Sequence, residues 1–384
     1  MRILHVISST NPKGGGPIEG IRQLMKPLED LGVSADILCC DPPDAPWLSN
    51  TESYKVYALG SASGRYRYSK ELLPWLRTNS KNYDAVIVNG LWQYPSFAVW
   101  RALAGIPVPY YVFPHGMLGP WFKRNFPLKH LKKWLYWPWA EYRVLRDARA
   151  VIFTCEEERV LARDSFWLYR CNEVVTKFGT ASPPENGGEL RDKFLLAYPL
   201  LAGKRLFLFL GRIHQVKGCD LLIEAFSRIA NSDSSLHLVM AGPGHPDLVE
   251  KLQIQAMRLG IGERITWTGM LRDDLKWGAF RACEVFVLTS HHENFGVVVA
   301  EALACGKPVL ISNKVNIWRE ISLEKAGFVA DDTVEGAEKI LRCWLSTNQM
   351  DRLLMNQRAA ECFQKNFHIN QAAERLVKII NWYS

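Results

Sequence analysis

Three short segments of this chain hold groups suited to phosphate and sugar. The first is Gly14-Gly15-Gly16-Pro17. Glycines let a backbone approach a ligand closely, Pro17 suits the first turn of a helix, and the N–H groups that open a helix attract phosphate. The spacing is not the Gly-x-Gly-x-x-Gly dinucleotide fingerprint, so NAD binding is disfavoured. The same run also fits a plain flexible loop. The second segment is Gly211-Arg212-Ile213-His214-Gln215-Val216-Lys217-Gly218. Arg212 and Lys217 precede a stretch that reads as a helix from Cys219, and two cations beside a helix N-terminus suit a diphosphate. As solvated loop charges they would need no ligand. The third segment runs from Glu293 to Glu301, through Asn294, Phe295 and Gly296. Carboxylates hold sugar hydroxyls by accepting their hydrogen bonds, and the backbone N–H groups of Asn294, Phe295 and Gly296 add donors. Taken singly, the two acids also fit an exposed carboxylate and a helix-surface Glu.

Histidines are fewer and weaker signals. Pro114-His115-Gly116-Met117 ends an apolar run, where His115 fits either a structural or a ligand-facing role. His214 sits among the loop cations. His291 and His292 are adjacent, so their side chains diverge and do not make a metal pair. No catalytic metal is expected.

These segments each follow a strand. In the first half, strands are expected at Ile3–Ile7, Ser34–Cys39, Ala85–Val88, Tyr110–Phe113 and Ala150–Thr154. Helices are expected at Pro17–Leu31, Tyr68–Arg77 and Pro95–Ala104, with Pro27 kinking or shortening the first. The turn-rich run Gly179–Gly188 reads as an interdomain loop. The alternation then restarts with strands Leu206–Leu210, Leu236–Ala241, Ile265–Thr268, Val285–Thr289 and Pro308–Ile311. Helices Cys219–Asn231, Asp247–Leu259, Asp274–Arg281 and Gly296–Cys305 lie between them. Strict alternation predicts an α/β protein of two doubly wound, Rossmann-like parallel-sheet domains. The expected boundaries are 1–180 for a first domain, 181–203 for a linker and 204–369 for a second domain. The amphipathic stretch 370–384 could pack back on the first domain. Open parallel sheets bind ligands at the carboxyl ends of their strands, so two facing domains would hold a ligand in the cleft between them.

Composition agrees with a globular protein. The chain has 384 residues, 48% hydrophobic and 22% charged, enough for two buried cores. No apolar run reaches the length of a spanning helix, and Met1–Ile7 is too short for a signal peptide. Nine scattered cysteines without a Cys-x-x-Cys pair disfavour a disulfide framework or zinc site. A cytoplasmic location is expected. The net charge of +8 suits an anionic partner.

The cation pair, followed about 80 residues later by Glu-x7-Glu after a strand, resembles the retaining glycosyltransferases of the GT-B fold, family four (glycosyl transferases group 1). Ala302-Leu303-Ala304-Cys305-Gly306-Lys307-Pro308-Val309 and Ala241-Gly242-Pro243-Gly244 are similar to that family too, as is the opening strand with its glycine-rich loop. The chain departs from it at Asn294, where many members carry glycine, and at Thr176-Lys177-Phe178-Gly179, where members show a Pro-Asn-Gly turn. The resemblance implies a nucleotide-diphosphate sugar as donor substrate and no other cofactor, with 1–180 as the acceptor-side domain and 204–369 as the donor-binding domain. It implies that Arg212 and Lys217 hold the diphosphate, Glu293 the sugar hydroxyls and Glu301 the ribose. Asn294, Phe295 and Gly296 would offer amides to the sugar, and Gly15 and Gly16 would lie against diphosphate and acceptor. Met270 and Leu271 would border the base, and His115 would orient the sugar or stabilise positive charge. A glycan or lipid-linked acceptor in polysaccharide or glycoconjugate synthesis follows from the same likeness. A non-catalytic nucleotide-sugar sensor and a nucleotide-sugar epimerase are the alternatives on this scaffold.

One further segment stands apart. From Trp121 to Arg146 there are eight aromatics (Trp121, Phe122, Phe126, Trp134, Tyr136, Trp137, Trp139, Tyr142) and seven basic residues (Lys123, Arg124, Lys129, Lys132, Lys133, Arg143, Arg146) against one acid, Glu141. This mixture suits the headgroup layer of an anionic membrane, so a peripheral position at the inner membrane face is a second expectation. Partly buried aromatics with snorkelling cations would give the same composition. No nucleic-acid recognition module is present in the pattern.

Overall fold

The computed structural model describes residues 1–48, 54–60, 62–121, 123 and 127–383. Phe122, Arg124 and Phe126 of the aromatic segment lie outside them. The chain divides into two compact units, Met1–Ala181 with Ile369–Ser384, and Ser182–His368.

In the first unit the strands are β1 (Arg2–Ile7), β2 (Ser34–Cys39), β3 (Val56–Ala58), β4 (Ala85–Asn89), β5 (Tyr110–Phe113), β6 (Ala150–Phe153) and β7 (Glu173–Val175). They form one parallel sheet in the order β3-β2-β1-β4-β5-β6-β7. Side chains alternate along each strand, so each face has its own core. Leu4, Val6, Val86 and Val88 fill one face. Ile3, Ile7, Ala85 and Ile87 fill the other, beneath the helix Gly16–Asp30. That second face is completed by the helix Ile369–Tyr383, through Ile369, Ala372, Ala373, Leu376, Ile379 and Ile380. Pro27 does not shorten the first helix, which runs on to Asp30. Lacking an N–H, it takes one bond out of the ladder, and Leu28 to Asp30 beyond it stay helical.

In the second unit, β8 (Arg205–Leu210), β9 (Leu236–Ala241), β10 (Ile265–Gly269), β11 (Val285–Leu288), β12 (Val309–Ser312) and β13 (Gly327–Ala330) form a parallel sheet in the order β10-β9-β8-β11-β12-β13. The expected strand and helix positions in both units agree within a few residues. The stretch 181–203 differs from the expected linker. It contains a helix, Gly187–Ala197, whose Leu190 and Phe194 are buried in the second unit. This helix lies against the helix Asp273–Ala282, and a Cβ at Gly278 would come within 2.2 Å of the Leu190 carbonyl oxygen. The turn formers end at Gly188, and the apolar side chains after them find a partner that local sequence does not reveal.

Both strand orders reverse direction once, between β1 and β4 in the first unit and between β8 and β11 in the second. Loops at such a reversal diverge and leave a crevice at the carboxyl ends of the strands, the usual ligand site of an open sheet. In the second unit the loops there are packed to the limit. Gly242 has φ 141°, and a Cβ on it would sit 1.8 Å from the Gly211 carbonyl oxygen. Gly211 N–H donates to Ala241 O at 2.9 Å, and Gly242 N–H to Gly269 O at 2.7 Å. Gly242→Ala is therefore expected to destabilise the second unit by roughly 1–3 kcal/mol, the cost of a strained backbone site. Thermal unfolding followed by calorimetry checks this, as a fall of several degrees in Tm.

Candidate active site

The second unit brings a cation and a carboxylate together at its strand-order reversal. After β8 the chain makes a short 3-10 turn, Gln215–Lys217, in which His214 Nδ1 accepts from Val216 N–H at 3.2 Å. Gly218 follows in the left-handed region at φ 60° and opens the helix Cys219–Ala230. Only glycine fits there, because a Cβ would meet the Thr289 carbonyl oxygen at 2.2 Å. Thr289 Oγ1 donates to Gly218 O at 2.7 Å, and His291 N–H donates to Val216 O at 2.8 Å. These contacts stitch the loop after β8 to the loop after β11, and Lys217 Nζ forms a part-buried ion pair with Glu293 Oε2.

Glu293 is itself held from the β12 side. Its N–H donates to Lys314 O at 2.9 Å, and its carbonyl accepts from Asn316 N–H at 3.0 Å. Gly296, at φ 76°, then turns the chain into the helix Val297–Ala304. A Cβ on Gly296 would lie 3.2 Å from Glu293 Cγ, so the turn folds back against the acid. Phe295 is buried and packs edge-to-face on Phe367 at 5.6 Å between ring centroids. Asn294 accepts from Asn316 Nδ2 at 3.4 Å.

The remaining expected residues are distributed around this pair. Arg212 is exposed on the loop after β8, so it does not share the enclosure of Lys217. Glu301 is buried in the helix Val297–Ala304, where Lys276 Nζ of the helix Asp273–Ala282 pairs with it at 2.5 Å. The two acids of Glu-x7-Glu are thus each met by a different lysine. Lys276 was missed by the sequence reading, because nothing in its local pattern separates it from a surface lysine. Met270 and Leu271 follow β10, the first exposed and the second buried. His291 pairs with Asp332 at 2.9 Å.

In the first unit the corresponding loops hold the glycine run and His115. Asp41, fully buried just after β2, accepts from Thr10 N–H at 2.6 Å, from Ser9 Oγ at 2.7 Å and from Arg67 Nη2 at 2.9 Å. Burial pushes its carboxyl up, but the hydrogen bonds from Ser9 and Thr10 outweigh this and hold it below the usual carboxylate range. Asp41 thereby anchors the loop from β1 that leads to Gly15 (φ 82°) and Gly16, where the helix begins.

His115 follows β5 at φ 49°, a left-handed conformation that costs an L-residue roughly 1–2 kcal/mol. Glu158, buried, secures that turn: its Oε1 accepts from Gly116 N–H at 2.5 Å, and its Oε2 from Thr154 N–H and Oγ1, both at 2.7 Å. His115 Nε2 lies 3.2 Å from Asn89 Oδ1 at the end of β4. Asn89 Nδ2 donates to Ile87 O at 3.2 Å, which fixes its Oδ1 as the acceptor toward His115. The His115 proton therefore sits on Nε2, and Nδ1 is the ring's acceptor. Burial, with a smaller contribution from His5, pushes the His115 pKa down to about 4, so the ring is neutral at physiological pH. His5 on β1 is likewise pushed down to about 4 by burial, and Asn89 Nδ2 lies 3.4 Å from its Nδ1. Asn89, His5 and Glu158 were not singled out from sequence. A polar residue closing the apolar run Ala85–Val88 was the available signal for Asn89.

The fold and this clustering define a GT-B glycosyltransferase. The family comparison agrees. Residues 15–175 match the glycosyl transferase 4-like domain, and residues 196–360 match glycosyl transferases group 1. The chain belongs to the GT-B glycosyltransferases of the family-four type. Mannosylfructose-phosphate synthase of Agrobacterium fabrum is 24% identical over 363 residues, covering 83% of this chain and 75% of that protein. D-inositol 3-phosphate glycosyltransferase of Thermomonospora curvata is 38% identical over 150 residues, covering 37% of this chain but only 32% of that protein. Among solved structures, Anabaena Alr3699/HepE in complex with UDP-glucose has a TM-score of 0.77 at 19% identity, with both chains covered in full.

The two buried histidines carry a pH consequence. Their folded pKa values lie below the ordinary 6.5, so between pH 6.5 and about 4 the unfolded chain binds more protons than the folded one. Stability from these rings is complete above pH 6.5 and is lost as pH falls toward 4. Tm measured from pH 7 to pH 4.5 is expected to fall, and His5→Gln is expected to flatten that slope.

Proposed function

We propose that this glycosyltransferase is a retaining, metal-independent enzyme that moves a sugar from a nucleotide-diphosphate sugar to a hydroxyl of a glycan or lipid-linked acceptor, in polysaccharide or glycoconjugate synthesis. The observation that carries the reading is the meeting of Lys217 and Glu293 at the strand-order reversal of the second sheet. A cation for phosphate and an acceptor for hydroxyls stand at one place. The UDP-glucose in the Anabaena structure supports the donor class.

In this reading the donor diphosphate replaces Glu293 as the partner of Lys217. Glu293 then accepts hydrogen bonds from the sugar hydroxyls. Arg212, exposed in the same loop, adds a second cation to the diphosphate. Glu301 meets the ribose, Met270 and Leu271 border the base, and the loop amides from Asn294 to Gly296 serve the sugar. Gly15 and Gly16 take the acceptor and diphosphate side, and neutral His115 accepts a sugar hydroxyl through Nδ1. The bond from the anomeric carbon to the diphosphate oxygen breaks, and the acceptor oxygen bonds to that carbon from the same face. The acceptor proton passes to the departing phosphate oxygen, so configuration is retained without an enzyme nucleophile. Negative charge grows on the leaving oxygen. A fixed donor there contributes to rate only as far as it holds the departing diphosphate better than the intact donor.

Arg212→Ala, Lys217→Ala and Glu293→Ala, assayed singly for sugar transfer, are each expected to lose roughly 10²–10³ in rate, the usual effect of removing one such group. Near-unchanged rates in all three would remove the mechanism, and donor binding without transfer by the wild type would make the chain a sensor instead. Glu293→Gln separates binding from turnover. It removes the charge that competes with phosphate for Lys217, so UDP is expected to bind several-fold more tightly in calorimetry while transfer falls. Weaker UDP binding would overturn the exchange of partners.

A further inference from the structure

The helix Pro127–Tyr136 in the first unit carries its aromatic and polar contacts inward and its leucines outward. Toward the protein, His130 stacks on Phe166 with ring centroids 4.8 Å apart, and the Lys133 ammonium lies 4.5 Å from the Trp92 ring centroid. The Tyr136 hydroxyl shares a 2.6 Å hydrogen bond with that of Tyr66. Toward solvent stand Leu128, Leu131 and Leu135, exposed 78%, 54% and 60%. Their spacing places them on one stripe of the helix. None of the helix's residues is buried.

The stripe is extended from two other segments. Trp139 follows the helix and is 70% exposed. Trp167 packs against Trp134, with ring centroids 5.9 Å apart, and its carbonyl accepts from Trp137 Nε1 at 2.8 Å. Next to it Leu168 adopts φ 59°, a left-handed conformation unusual for a branched side chain, and remains exposed. Among the described residues, the exposed charges beside this apolar surface are mainly basic, with Arg163 and Arg170 flanking Trp167 and Leu168 and Asp164 the exposed acid between them. Lys123, Lys129 and Lys132 are exposed. Glu141, the one acid between Trp121 and Arg146, is buried and accepts from Trp92 N–H at 2.7 Å and Ser96 Oγ at 3.0 Å, so its carboxylate points into the unit.

We infer that the outer face of the helix Pro127–Tyr136, with Trp139, Trp167 and Leu168, is a docking surface for an anionic phospholipid bilayer. Leucines on such a face enter the boundary between headgroups and acyl chains, while tryptophans take the headgroup level. The flanking lysines meet lipid phosphates. A protein partner of ordinary polarity does not call for a rim so rich in basic residues, and a second copy of the same surface would oppose like charges. The inference stands on this surface alone, and its test uses no sugar nucleotide, so it fails or survives separately from the donor-site reading.

The test is sedimentation of the whole chain with vesicles of pure phosphatidylcholine and with vesicles of equal parts phosphatidylcholine and phosphatidylglycerol. The wild type is expected to sediment with the anionic vesicles and stay in solution with the neutral ones. Leu131→Asp/Leu135→Asp is expected to weaken anionic-vesicle binding by at least about tenfold, given the apolar area withdrawn. Lys129→Glu/Lys132→Glu is expected to abolish the preference for phosphatidylglycerol. All four side chains are exposed, and matching melting curves verify that the variants fold. Failure of the wild type to sediment with either vesicle overturns the proposal, as does unchanged binding by the leucine variant. Self-association of the wild type that the leucine variant abolishes, without vesicle binding, would assign the surface to a second copy instead.

Discussion

The chemistry of the second unit depends on how tightly the loop after β8 is tied to the loop after β11. Gly218 lies against the Thr289 carbonyl with no room for a Cβ, and Thr289 Oγ1 returns a hydrogen bond to the same glycine. Lys217 is the residue just before this clamp. Its ammonium is thereby delivered to Glu293, 76 positions away in sequence. A flexible lysine on a loose loop would hold a surface charge pair worth little, because rotamer entropy and solvent screening consume the attraction. The clamp removes much of that freedom before any ligand arrives. The cation is then neutralised but not buried beyond reach, a state from which an incoming anion can take over the lysine.

The first unit solves a related problem with neutral groups. His115 is fixed by its backbone and by Asn89, not by an ion pair. Burial keeps the ring uncharged, and the Asn89 amide selects the tautomer. Glu158, on the helix Glu156–Ala162 after β6, ties that turn to the end of β6 by accepting from Gly116 N–H on one side and from Thr154 N–H and Oγ1 on the other. A left-handed histidine is costly, and the buried Glu158 carboxylate, tied to both Gly116 and Thr154, holds the turn against that cost. The two units share a strand-order logic but place opposite kinds of chemistry at it, a charge pair in one and a neutral hydrogen-bonding ring in the other.

Much of this was legible in the sequence for physical reasons that can be named. Strands buried on both faces read as apolar runs, and β4, β5 and β11 lie at the residues those runs mark. Lys217 and Glu293 stood out because each follows such a run. The helix Gly187–Ala197 was hidden, because its stability comes from contact with the helix Asp273–Ala282 and its start is disguised by turn formers. Lys276 and Glu158 were hidden for the same kind of reason: a charge on a helix announces its partner only when the fold brings the two together. Arg212 and Lys217, alike in sequence, differ in enclosure by an amount that only the three-dimensional path of the loop decides.

The helix Ile369–Tyr383 closes the first core although the whole second unit precedes it in sequence. A ribosome therefore releases every strand of the first sheet, and then all of the second unit, before the segment that covers Ile3, Ile7 and their neighbours exists. The unit that starts to form first is the last to be finished, and until then it presents an uncovered greasy face to chaperones and to other nascent chains. By contrast, the second unit is one continuous stretch and can reach its final packing while still tethered.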